Sequence, residues 1–123
     1  MKFRVARHTS KIDTIINFYH SILGFDILGS FENHDGYDGV FLGLKDENWH
    51  LEFTISEVSP NHHPDEDDLL VFYANSENHY TELITSLKNN NIVEVQPKNS
   101  YWKKNGITFL DPDGFRIVIS RKA

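Results

Sequence analysis

Ile12-Asp13-Thr14-Ile15-Ile16-Asn17-Phe18-Tyr19-His20-Ser21-Ile22-Leu23-Gly24-Phe25 places its apolar residues at helical spacing and then stops at a glycine. Ile12, Ile15, Ile16, Tyr19, Ile22 and Leu23 fall on one stripe, Thr9 or Ser10 can cap the start, and Gly24 suits the left-handed turn that ends a helix. Upstream, Phe3 to Arg7 alternates apolar and polar residues, with Phe3 and Val5 on one side and Arg4, Ala6 and His8 on the other, as in a half-buried strand. Downstream, Phe25 to Phe31 is rich in strand formers, His34-Asp35-Gly36 is a turn, and Gly39 to Leu44 is a second apolar run. A polar turn over 45–48 leads to a last strand, Trp49 to Ile55. The expected order is strand, helix, strand, strand, strand.

The same order returns after a polar linker from about Ser56 to Asp67. Leu69 to Tyr73 reads as a strand, Ser76 as a cap, and Tyr80, Leu83, Ile84 and Leu87 as a helical stripe stopped by Asn89-Asn90-Asn91. Ile92 to Gln96, Gly106 to Leu110 and Phe115 to Ser120 supply three further strands, the last two joined by Asp111-Pro112-Asp113-Gly114. Pro97 to Asn105 is the least regular piece and reads as a loop over a site. The fold class is therefore α+β: two βαβββ modules, expected to form a curved, incomplete barrel around a cleft. One domain is expected over 1–123, with module one over about 1–56, a linker over about 57–67 and module two over about 68–123.

Composition narrows the function. With 123 residues a hydrophobic core can form without staples, and the lack of cysteine excludes disulfides and thiolate chemistry. A net charge of −6 with scattered Lys and Arg offers no footprint for a phosphate backbone, so nucleic acid is not an expected partner. Met1 to Ala6 has no apolar signal region and no run approaches a membrane span, so the expectation is a cytoplasmic protein without a membrane partner. Asp65-Glu66-Asp67-Asp68 and His62-His63 read as solvated linker, and His34 to Gly39 as a turn whose Tyr37 can reach a cleft mouth. No phosphate-binding glycine loop, nucleotide fingerprint or Ser-His-Asp arrangement is present.

Phe18-Tyr19 with Leu23-Gly24-Phe25, and Asp111-Pro112-Asp113-Gly114-Phe115 near the other end, resemble the paired marks of the vicinal-oxygen-chelate superfamily. That group includes glyoxalases, extradiol dioxygenases, bleomycin- and fosfomycin-resistance proteins and epimerases. Its metal-dependent members hold ligands, usually His, Gln or Glu, on the first and last strand of each module. In register with those marks, this chain carries Arg4, Glu52, Leu69 and Val118. A guanidinium has no lone pair to give and two aliphatic side chains offer nothing to a cation, so one ligand of the pattern remains.

Strand parity sends Leu51, Phe53 and Ile55 to the helix side and His50, Glu52 and Thr54 inward, beside Arg4. The expected ligand-binding residues are Arg4, His50, Glu52, Tyr73 and Trp102, with Arg4 and Glu52 forming a buried ion pair. Trp49 and Tyr101 offer further flat surfaces. The leading expectation is a binder of a small organic molecule that holds no metal or other cofactor. One alternative is a divalent-metal lyase, isomerase or dioxygenase using His8, His50 and Glu52, although His8 lies roughly 13 Å along the strand from the matched position. Another is a metal-free enzyme with Glu52 as catalytic general base. A homodimer is the expected assembly.

Overall fold

The computed structural model describes residues 1–121, which divide into two compact units meeting at Asn61 and His62. The first unit runs β1 (Phe3–His8), α1 (Ile12–Ile16), β2 (Asp26–His34), β3 (Tyr37–Gly43) and β4 (Trp49–Ile55). Its sheet has the order β1-β4-β3-β2, with β1 and β4 parallel and the other neighbours antiparallel. The second unit repeats this plan: β5 (Leu69–Tyr73), α2 (Glu77–Asn89), β6 (Glu94–Val95), β7 (Gly106–Leu110) and β8 (Arg116–Ser120), in the order β5-β8-β7-β6. The expected α+β class and the two βαβββ modules are present. No helix among the described residues is long and apolar enough to cross a membrane.

Two consecutive aromatics shape the first helix. α1 passes into a wider π-helical turn over Asn17–Ile22, closed by the Leu23 amide donating to the Phe18 carbonyl at 3.0 Å. This lets Phe18 and Tyr19 both be buried, together with Ile15 and Ile22. Tyr19 stacks on Phe53 of β4 at 5.1 Å, so the helix covers the face that carries Leu51 and Phe53. The chain leaves the turn through Gly24 at φ +79°, a left-handed conformation that glycine adopts without strain.

Several local expectations need correction. Neither Thr9 nor Ser10 caps α1: the N-cap is Lys11 without a side-chain bond, and buried Thr9 Oγ1 instead accepts from the Lys11 amide, shaping the approach to the helix. The strand expected over Ile92–Gln96 shrinks to Glu94–Val95, because Ile92 is drawn into the helix end, its amide donating to the Leu87 carbonyl. The loop Pro97–Asn105 contains a single 3-10 turn, Ser100–Lys103, whose cap Asn99 accepts from the Tyr101 amide. Ser76 does cap α2, accepting from the His79 amide at 3.0 Å.

Asp111 organises the turn between β7 and β8. It is 4% exposed, and one carboxylate oxygen accepts from the amides of Asp113 and Phe115, each at 3.0 Å. Removing that acceptor strands two backbone donors, so Asp111→Ala should lower stability by about 1–3 kcal/mol. Asp111→Asn keeps an oxygen in place and should lose clearly less. Urea denaturation of the two variants checks this, and equal losses would show that the amide bonds are not what the carboxylate supplies.

Candidate functional site

The site begins with a register. β1 and β4 pair with Arg4 opposite His50, Val5 opposite Leu51 and Ala6 opposite Glu52. Side chains alternate across a sheet, so with Leu51 and Phe53 committed to the helix, Arg4, His50 and Glu52 share the other face. Arg4 binds both partners there: its Nε donates to His50 Nε2 at 2.8 Å and its Nη1 to Glu52 Oε1 at 2.8 Å. Phe41 on β3, opposite Glu52, lies under the guanidinium at 4.8 Å and makes a T-shaped contact with the His50 ring at 5.7 Å. Phe31 continues the aromatic surface beside Phe41, in space left by Gly39, where a Cβ would come within 2.3 Å of the Phe31 ring.

The contact with Arg4 fixes the state of His50. A guanidinium N–H can only donate, so Nε2 is the acceptor and the neutral ring carries its proton on Nδ1. Burial pushes the His50 pKa below its ordinary 6.5, the positive charges of Arg4 and Lys2 push it further the same way, and Glu52 opposes them. Arg4 and Glu52 are not the buried pair expected: the side chains are 49% and 14% exposed, because the long arginine lies across the sheet face rather than under it. At that exposure the ion pair is worth about 0.2–1 kcal/mol, and its weight is in orienting His50 and Glu52.

His8 does not join this cluster. It lies opposite Thr54, and its ring bonds to Thr54 Oγ1 at 2.7 Å, Ser56 Oγ at 3.0 Å and the Val58 carbonyl at 2.9 Å. A carbonyl only accepts, so Nε2 donates to Val58 and the neutral ring accepts from Thr54 at Nδ1. His8 thereby ties the first residues after β4 back to β1, with the ring of Tyr37 edge-on at 5.7 Å. Trp49 packs edge-on to Phe25 on the helix side, away from the cluster. Among the described residues no group of three or more His, Cys, Asp or Glu side chains is placed to hold a metal ion.

The second unit holds the other candidates. Leu69 lies opposite Arg116 and Val71 opposite Val118, so the strand pair that carries Arg4, His50 and Glu52 in the first unit here carries Leu69, Arg116 and Val118. Arg116 escaped sequence reasoning; aligning the two repeats strand by strand is the signal that finds it. Its guanidinium is 14% exposed and donates to the Gln96 carbonyl at 2.9 Å. Tyr73 and Trp102 come together, with Tyr101, around a small cavity.

Comparison with known proteins agrees with this plan. The YycE-like N-terminal domain matches residues 3–54 and the YycE-like C-terminal domain residues 67–121. The YycE protein of Bacillus subtilis is 42% identical over 120 residues, covering 95% of this chain and 85% of the relative. Its crystal structure, that of a protein of unknown function and candidate glyoxalase/fosfomycin resistance protein, superposes with a TM-score of 0.89 over 97% of this chain and 88% of that one. Leishmania major glyoxalase I, which is trypanothione-dependent, gives 0.76 at 20% identity, over 97% of this chain and 84% of its own. TnmS3, an antibiotic-binding protein from Streptomyces sp. CB03234, gives 0.70 at 19% identity, over 100% and 96%. The fold is that of the glyoxalase, fosfomycin-resistance and bleomycin-resistance proteins, the vicinal-oxygen-chelate fold. Within it, the chain belongs to the YycE-like family.

The lowered pKa of His50 has a sign that can be tested. The unfolded chain protonates this residue at a higher pH than the folded one, so the associated stability is complete above about pH 6.5 and is lost as pH falls from there through the folded value. His50→Gln should therefore lose less stability than the unmodified protein between about pH 7.5 and pH 5. Parallel urea-midpoint profiles for the two proteins would contradict the assignment.

Proposed function

We propose that this YycE-like protein binds a small organic molecule on the open face of its first sheet without the metal used by many relatives of this fold. The observation that carries the reading is the guanidinium of Arg4, which occupies the Nε2 lone pair of His50 and one oxygen of Glu52. A divalent cation held by His50 and Glu52 would have to displace a charge-assisted pair and then sit beside the displaced positive charge. At the positions that correspond to metal ligands, Arg4, Leu69 and Val118 supply no donor, and one carboxylate does not make a site for zinc or another first-row metal.

The same arrangement suits ligand binding. Arg4 is half exposed and keeps further N–H groups beyond the two engaged, which can meet an acceptor such as a carboxylate or phosphonate. Phe41 and Phe31 supply an apolar surface beside it. His50, neutral with Nδ1–H, and Glu52 then fix the orientation of the guanidinium. The likeness to TnmS3, an antibiotic-binding protein, supports binding as something this fold accommodates, although at 19% identity it speaks for fold alone. A second copy of the chain is the expected protein partner, and the cytoplasm the expected location.

Metal analysis tests this reading. Dialysed protein should hold well under one equivalent of metal, and added zinc, nickel or manganese should leave the melting temperature unchanged. A tight site at a hundredfold excess over its dissociation constant would add roughly 2.7 kcal/mol. A shift of that size, abolished by Glu52→Ala and by His50→Ala but retained in His62→Ala, would overturn the proposal in favour of a metalloenzyme.

A further inference from the structure

The cavity of the second unit has a chemistry of its own. It measures about 160 Å³ and is lined by Tyr73, Tyr101, Trp102, Asn105, Gly106, Ser120 and Arg121. A cavity of roughly 150 Å³ is enough for one benzene ring. Two of its walls are aromatic rings that stand well out of the core: Tyr73 is 49% exposed and Tyr101 72%. Tyr101 and Trp102 meet edge-on at 5.0 Å, so they present surfaces in different directions rather than stacking on each other.

The walls are held in place by hydrogen bonds. Asn99 caps the 3-10 turn that carries Tyr101 and Trp102, the Arg121 amide donates to the Asn105 carbonyl at 2.7 Å, and the Ala74 amide donates to the Ser120 carbonyl at 2.9 Å. Ser120 is the unusual member. It is 4% exposed and lines the cavity, so it brings a hydroxyl to an otherwise aromatic wall. Thr108, on the same face of the neighbouring strand, has a buried hydroxyl without a partner among the described residues. A hydroxyl that lines an aromatic-walled space can donate to or accept from a ligand atom placed there.

Charge narrows the ligand further. Arg121, the cation in the lining, is already engaged: its Nε donates to Glu77 at 2.7 Å and its guanidinium lies over Tyr80 at 4.3 Å. An anion would gain little from it and would be desolvated against three aromatic rings. We infer that this cavity is a second ligand site, which takes a neutral, single-ring aromatic group bearing one hydrogen-bonding substituent, with the substituent on Ser120 and the ring among Tyr73, Tyr101 and Trp102.

The test uses phenol as probe, with benzene and benzoate beside it, on the full chain labelled for amide NMR. Phenol should shift the amides of Asn105, Gly106 and Ser120 saturably, and benzoate should bind more weakly. Ser120→Ala should weaken phenol by about fivefold and leave benzene unchanged, the cost expected for one neutral hydrogen bond. Tyr101→Ala, at a position exposed enough not to disturb folding, should weaken both rings. Arg4→Met should change neither, which separates this site from the one proposed on the first sheet. Failure of phenol to shift those amides saturably, equal loss of phenol and benzene in Ser120→Ala, or loss of phenol in Arg4→Met would overturn the inference.

Discussion

The parallel pairing of β1 with β4 is the constraint from which the site follows. Strand side chains alternate between faces, so a slip of one residue would send Arg4 to the helix side and leave His50 and Glu52 without their cation. What prevents the slip lies on the opposite face. Tyr19 stacks on Phe53, Leu42 and Leu51 are buried beside them, and the π-helical turn lets both Phe18 and Tyr19 reach that core. The hydrophobic side of the sheet therefore sets the geometry of its polar side.

On the polar side, charge acts mainly through orientation. Arg4 is too exposed for its pair with Glu52 to contribute much to stability, but its two N–H donors point along the sheet to two different acceptors. One contact defines the tautomer of His50 and the other directs the Glu52 carboxylate. Phe41 beneath the guanidinium holds it flat over the face. A cation is thus built into the sheet face that carries His50 and Glu52.

Much of this was legible in the sequence, for reasons that can be named. Leu51, Phe53 and Ile55 alternate cleanly with His50, Glu52 and Thr54, so the face of each followed from spacing alone. The repeated order of elements followed from Gly24, the Asn89–Asn91 run and the Asp111 turn, which punctuate two similar hydrophobic patterns. The bond from Arg4 to His50 was not legible, because it depends on the register of two parallel strands more than forty residues apart, which local pattern does not fix. The partners of His8 were hidden for a related reason. Its parity was right, but its partners, Ser56 and Val58, lie in a linker that carries no periodic signal. The π-helical turn was hidden because a stripe of apolar residues looks the same whether the turn closes at four residues or at five.

The hydrogen bond between Arg4 Nε and His50 Nε2 holds the polar face of the first sheet together. Nitrogen NMR of the His50 ring, recorded before and after addition of one equivalent of zinc, measures it directly. The prediction is an Nε2 resonance typical of an unprotonated acceptor, coupled to a slowly exchanging Arg4 Nε proton, with Nδ1 protonated and no change on adding zinc. A protonated Nε2, or a zinc-induced shift of Nε2 with loss of the protected arginine proton, would contradict it.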